Sequence, residues 1–233
     1  MKTNSLLRWV SLLFAGFVAS CLGPLDQPQV QNGFALSITI PDVGQDYILG
    51  QDTVAIIGYK MLIDTLSVNK VGAEDERFEP RIRLASYTLG FAEYYVIGSG
   101  IVGGGTFNGV RFAVVRPTFV NNDFSDPDLV DRNDAGTITD TWSISLTGIF
   151  DRKFFRFRSK VSKPVQYGFS NSVQLPDYNS YLEARLRGNW RQWFLNSTGT
   201  ALLNPNDPAN STQIENNILK YFDIFTYSIG EVQ

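Results

Sequence analysis

Histidine is missing from all 233 residues, and cysteine occurs once, at Cys21. Without imidazole no Ser-His-Asp or Cys-His constellation can be assembled, and no side chain titrates near neutrality unless its environment forces it. Copper and zinc lose their usual nitrogen and sulfur ligands, since Met61 is the only methionine after the initiator. A single cysteine closes no disulfide within the chain, so stability has to come from an apolar core. Paired carboxylates remain as the one familiar hydrolytic arrangement, which leaves a carboxylate-based glycosidase as the enzymatic alternative to a protein that only binds.

What is present begins with an address. Lys2 and Arg8 precede the apolar stretch Trp9–Val18, which ends in the small residues Ala19 and Ser20, and this order reads as a secretory signal peptide over residues 1–20. The apolar run falls short of the roughly 20 residues that a spanning helix needs. Val18-Ala19-Ser20-Cys21 resembles a bacterial lipobox, which implies that Cys21 becomes the lipidated first residue of the mature protein. A buried thiol or a catalytic nucleophile are the other readings of a lone cysteine, the second without a histidine to activate it. Leu22 stands where an inner-membrane sorting signal would have Asp, so by resemblance the expected location is the outer membrane, with periplasmic and surface-facing orientations both open. Residues 21–33, rich in Pro, Gly and Gln, read as a flexible tether, and 34–233 as a single domain.

Removing residues 1–20 takes away two of the 20 basic residues and none of the 23 acidic ones, leaving a net charge of −5. That sign argues against a nucleic-acid partner. The expected partners are the membrane, through Cys21, and an envelope protein.

Apolar residues recur mostly with period two. Leu36, Ile38 and Ile40 alternate with Ser37 and Thr39, and Ile82 and Leu84 with Arg81 and Arg83. Trp142, Ile144 and Leu146 alternate with small polar residues, and after Asp151-Arg152-Lys153 the pattern resumes as Phe155 and Phe157. The last pair predicts a hairpin with one solvated face. Val54–Val68 is long enough to bend or break near Gly58 or Asp64, and Tyr87–Ile97, Gly109–Val115, Val165–Phe169 and Leu182–Leu186 are further strands. The fold expected is mainly β, an antiparallel β-sandwich, immunoglobulin-like or related, with one C-terminal amphipathic α-helix. Asn210-Ser-Thr212 followed by Glu215 has capping-box spacing, and Ile214, Ile218, Tyr221, Phe222 and Phe225 fall on one stripe, which predicts a helix over about 212–225.

Gly98-x-Gly100-x-x-Gly103 after a strand-like run imitates the dinucleotide-binding fingerprint. That fingerprint needs a helix opening inside the glycines and an acid about 20 residues on. Here Thr106–Val115 alternates as a strand where that helix should open, so no dinucleotide is expected. The glycines read instead as those of a hairpin connection.

Two other groups are candidate sites. Asp123, Asp126, Asp128, Asp131 and Asp134 crowd one stretch and could supply the hard oxygen ligands of Ca²⁺, although the spacing is not that of an EF-hand and Pro127 interrupts it; a solvated acidic loop is the alternative. Trp190 and Trp193, with Arg187 and Arg191 nearby, could stack on a glycan, but two rings three apart on one helical face read first as core packing.

Three segments carry a resemblance: Gly58–Asn69, Gly105–Val114 and Leu203–Ile218. They are similar to β-sandwich lipoproteins related to the methanobactin-associated periplasmic copper proteins. The resemblance implies an immunoglobulin-like or related sandwich in the envelope, and for its best-known members copper binding. This chain lacks every histidine that such a site would use, so only the fold carries over. The function expected is a lipid-anchored, non-enzymatic binding or scaffolding module, an accessory subunit of an outer-membrane complex, with a calcium- or glycan-binding lipoprotein as the alternative.

Overall fold

A computed structural model describes residues 31–80, 83–88, 94–117 and 126–229. Cys21, the signal peptide, most of the tether, the Arg81–Ile82 part of the alternating run and Asp123 lie outside the described residues.

The domain is a β-sandwich of two principal sheets. The smaller sheet has the order β14 (Phe222–Ile229), β13 (Tyr181–Gly188), β1 (Asn32–Thr39), β6 (Tyr95–Val102). The larger runs β11 (Lys153–Ser159), β10 (Ile144–Phe150), β3 (Asp52–Lys70), β7 (Gly105–Val114), β12 (Lys163–Leu175), with β2 (Tyr47–Leu49), β4 (Glu76–Phe78) and β5 (Leu84–Thr88) also paired to β3. A separate ribbon, β8 (Val130–Arg132) and β9 (Ile138–Thr141), forms a strap. Two helices, α1 (Trp190–Trp193) and α2 (Ser211–Lys220), lie between β13 and β14 in sequence.

Pairing is antiparallel throughout except at β1, which runs parallel to β13. β1 enters from the N-terminus and slots between β6 and β13, and a central strand can be antiparallel to one neighbour and parallel to the other. Its inward residues Phe34, Leu36, Ile38 and Ile40 are fully buried, as the alternation requires.

β3 bends without breaking. Its 19 residues carry one register slip at Ile57 beside Gly58, opposite Thr147/Gly148, and another at Thr65, whose φ is +40°. An extra residue in one strand sharpens the local twist and lets a long strand serve both ends of a curved sheet. The β10–β11 hairpin turns at Asp151 and Arg152, with φ +46° and +65°, the conformation that a two-residue turn needs to match strand twist.

The solvated face predicted for that hairpin is only partly solvated. The strap crosses it: Trp142 N–H donates to Leu129 O at 2.9 Å, and Ser143 and Ser145 are buried under the ribbon.

The C-terminal helix stops earlier than its apolar stripe predicts. α2 ends at Lys220, and Phe222–Ile229 forms an edge strand paired along its whole length with β13. Phe222, Ile224, Phe225 and Tyr227 also satisfy a β pattern, and the unpaired edge of β13 decides between the two periods. The capping box does not form either. A 3₁₀ turn at Pro208–Asn210 leads directly into α2, so Asp207 caps that turn by accepting from Ala209 N–H. Glu215 instead accepts from the Ser159 hydroxyl on β11.

Candidate functional site

The outward face of the four-stranded sheet carries side chains that folding does not use. β1 contributes only small residues there, Gly33, Ala35, Ser37 and Thr39, so the middle of the face is low. β13 supplies Tyr181, Glu183, Arg185 and Arg187, and β14 supplies Asp223, Phe225, Tyr227 and Ile229 in direct register with them. On the other side stand Val96, Ser99 and Ile101 of β6, with Tyr94 just before it. Large residues on both flanks of a strand of small ones make a trough.

Arg185 is fixed at its centre. Its guanidinium holds Glu183 in a forked pair of 2.7 and 2.8 Å, and the same carboxylate accepts from Ser37 Oγ at 2.7 Å. The guanidinium carbon lies 4.2 Å from the Tyr227 ring centre and 5.1 Å from that of Tyr94, so two aromatic faces clasp the cation. The hydrogen bonds that Arg185 donates hold the Glu183 carboxyl below its usual range, and the same bonds raise the guanidinium pKa in turn.

Arg187, one step along on the same face, makes no ion pair among the described residues, even though Asp223 lies opposite it in register. It opens onto a recess of about 360 Å³ lined by Thr39, Pro41, Tyr94, Arg187, Phe225 and Tyr227. Phe225, Tyr227 and Tyr94 are half-exposed around it. A cation at the base of an aromatic recess can hold an acidic or hydroxyl-bearing group while the rings cover its apolar faces.

A larger groove of about 550 Å³ lies on the other sheet, where Arg77 and Arg111 flank Ser67 in register and Asp75 and Glu79 share the lining. Its two arginines and two acids balance, and the rings that line it, Phe78 and Phe112, are more buried than those of the trough, so it offers less to a ligand.

The carboxylates that the sequence offers for calcium are occupied by cations of the protein itself. Lys60 Nζ sits between Asp126 and Asp128 at 2.8 and 2.7 Å, Arg156 reaches Asp128 at 2.8 Å, and Arg158 reaches Asp131 at 2.6 Å. Asp134 stands exposed at the strap's turn, apart from the others, and Asp123 is outside the described residues. Among the described residues no group of three or more His, Cys, Asp or Glu side chains is placed to share a metal ion. Asp131 of β8, with Asp126 and Asp128 just before it, therefore latches the strap onto β3 and β11, partners too distant in sequence to be seen from the acidic run alone.

The tryptophans take the core reading. Trp190 is 2 % exposed and Trp193 not at all. Trp193 packs on Tyr59 and Phe222 with ring centres 5.1 and 5.8 Å away and donates to Tyr221 O at 3.2 Å. Neither ring presents a face on which a sugar could stack.

The glycine fingerprint also resolves as packing. β6 and β7 belong to different sheets, so Gly103–Gly105 form a corner between sheets and not a hairpin. A Cβ at Gly98 or Gly100 would overlap the side chains of Leu66 or Phe78, which press against β6 from the facing sheet.

The trough residues Tyr94, Glu183, Arg185 and Tyr227 escape a reading of the sequence, which places Arg187 beside the tryptophans and Phe225 on a helical stripe. One signal was available: Arg185 and Arg187 alternate with the inward Ala184 and Leu186. It marks an outward face without telling what stands beside it. No protein-family model, curated protein or solved structure matches this chain, and none of these comparisons ties it to the copper proteins that its three segments resemble.

Proposed function

We propose that this chain is a lipid-anchored protein of the bacterial outer membrane that acts by binding, as an accessory subunit of an envelope complex, and that its partner docks in the aromatic–arginine trough of the four-stranded sheet. The observation that carries the reading is Arg187, a cation without an ion pair among the described residues, ringed by half-exposed Tyr94, Phe225 and Tyr227. Aromatic and arginine side chains dominate interface energetics because they bury large area at little conformational cost and hold directed polar contacts. The lipobox resemblance at Val18–Cys21 supports the address, and the absence of histidine supports binding over catalysis.

The test is affinity purification of the tagged lipoprotein from its own membranes, beside an Arg187→Glu/Phe225→Ser variant that leaves the core untouched. A specific partner should accompany the parent protein and be lost from the variant. Co-purification unaffected by the two changes removes the trough from the interface. Turnover of a substrate by the purified protein, abolished by a single Asp or Glu substitution, would replace binding by catalysis.

A glycan is the second reading, favoured by ring faces on opposite walls of a recess sized for one or two sugar units. Calorimetry with acidic and neutral oligosaccharides separates it from a protein partner, since only the glycan reading expects Arg187-dependent heat from an isolated sugar.

A further inference from the structure

At the end of the sheet opposite Arg187, one row across the strands carries no charged side chain, while Asp177 stands exposed in the loop before β13. Ile229, Tyr181, Gly33 and Ile101 fall in one row across all four strands, by the register Tyr181↔Ile229, Gly33↔Tyr181 and Gly33↔Ile101. Ile101 is 65 % and Ile229 67 % exposed, and the Tyr181 ring lies over Gly33, where a Cβ would be 2.9 Å from its Cδ2. Tyr178, in the loop leading into β13, and Val71, in the turn after β3, are exposed at the same end. Four strands at about 4.8 Å spacing make this an apolar rim some 14 Å wide. Nothing among the described residues covers it. Exposed apolar side chains gathered at one end of a domain mark a contact surface, whereas the same number scattered singly would not.

The rim surrounds the point where the chain enters the domain. Asn32 begins β1 beside Val102 of β6, and only ten residues, 22–31, separate it from Cys21. Even fully extended, a segment of that length reaches no more than about 35–40 Å, while β3 alone runs about 60 Å along its contour at 3.3 Å per residue. An acyl group on Cys21 therefore holds this end of the domain nearest the bilayer.

We infer that the rim formed by Ile101, Tyr181 and Ile229 seats in the headgroup region of the lipid surface, so that the domain stands on end on the membrane with the Arg187 end of the trough held farthest from it. This rests on the lipid anchor of the proposed function. The chemistry of the rim suits an uncharged interface: isoleucines enter the acyl boundary, tyrosine places its ring there with its hydroxyl in the headgroups, and no cation in the row selects anionic lipid. Anchor and rim together supply two membrane contacts, and the second fixes an orientation that a single point of attachment would not.

The experiment uses the mature acylated chain in phosphatidylcholine vesicles. With Cys21 acylated, an introduced cysteine is the only free thiol, so Ile101→Cys, Ile229→Cys and, at the far end of the sandwich, Phe154→Cys (63 % exposed) can each carry one environment-sensitive fluorophore. Labels at 101 and 229 should emit at shorter wavelength, be quenched several-fold more by bromolipid than the label at 154, and be several-fold less accessible to iodide. Equal iodide access at all three positions overturns the seating while leaving the anchor standing. Shielding at 101 and 229 that fades as protein is diluted at constant lipid assigns the rim to a second copy of the chain and overturns it as well. Uptake of the label by the chain without an introduced cysteine means a free Cys21, which overturns the anchor first and the seating with it.

Discussion

At the residue scale, glycines and tryptophans act differently from what their neighbours in sequence suggest. Gly104 lies in the corner between the sheets, where a Cβ would stand 2.7 Å from the Asp177 Cα and 2.8 Å from the Pro176 carbonyl oxygen. Backbone cannot move aside as a side-chain tip can, so Gly104→Ala should lower stability by about 1–3 kcal/mol in urea unfolding. Gly168→Ala, whose nearest neighbour would be 3.9 Å away, should stay within about 0.5 kcal/mol of the parent. Equal midpoints for the two variants would contradict a packing role for the corner. Trp193→Ala removes a fully buried ring from between Tyr59 and Phe222 and should cost about 3–5 kcal/mol. Which tryptophan is buried was half legible, since rings three apart share one side of a helix, but whether that side faces the core or a ligand is decided by residues some 130 positions away, at Tyr59.

At the element scale, the strap is the part held mainly by charge. Its ends are fastened by Lys60–Asp126/Asp128, Arg158–Asp131 and Lys160–Asp140, and Trp142 lies between the cations of Arg158 and Lys160, with centroid distances of 4.3 and 4.6 Å. Hydrogen bonds from Arg158 hold the Asp131 carboxyl below its ordinary value of 3.8, and those from Lys160 do the same for Asp140. A carboxyl whose folded pKa is depressed stabilises the fold above its ordinary value, and that contribution is lost as pH falls through the folded one. The strap should therefore loosen in acid, below about pH 4, before the sandwich unfolds. Trp142 emission should report this, and the change should be missing from Trp142→Phe; a Trp142 signal that moves only together with the loss of β-sheet circular dichroism would contradict a separate latch. From the sequence the acidic run reads as a solvated loop or a calcium ligand set, because the three cations it meets, Lys60, Arg156 and Arg158, lie on β3 and β11.

At the scale of the whole molecule, the core holds three tyrosines, Tyr59, Tyr87 and Tyr167, whose hydroxyls donate to Met61 Sδ, the Ile38 carbonyl and the Leu219 carbonyl. Burial pushes the pKa of all three above the ordinary 10.0, since a phenolate there would lose its hydration. A group whose folded pKa is raised stabilises fully below its unfolded value and ceases to as pH rises toward the folded one. Stability should accordingly fall steeply above about pH 10, with phenolate absorbance of these three rings appearing only together with unfolding. Ionisation of all ten tyrosines ahead of any change in circular dichroism would contradict their burial.

Alternation along short segments is a local property, so the β class, the strands of β1, β7, β10, β11 and β13, the hairpin at Asp151–Arg152, the bends in β3 and the absence of a histidine-based site can be read from the order of residues alone. Which strands become neighbours is a property of residues far apart in the chain. For that reason the parallel insertion of β1, the transfer of Phe222–Ile229 from helix to edge strand and the neutralisation of the strap's acids emerge only when the sheets are assembled. The trough belongs with these, because Tyr94, Arg185 and Tyr227 meet only after β6, β13 and β14 have been brought to one sheet around a strand of small residues.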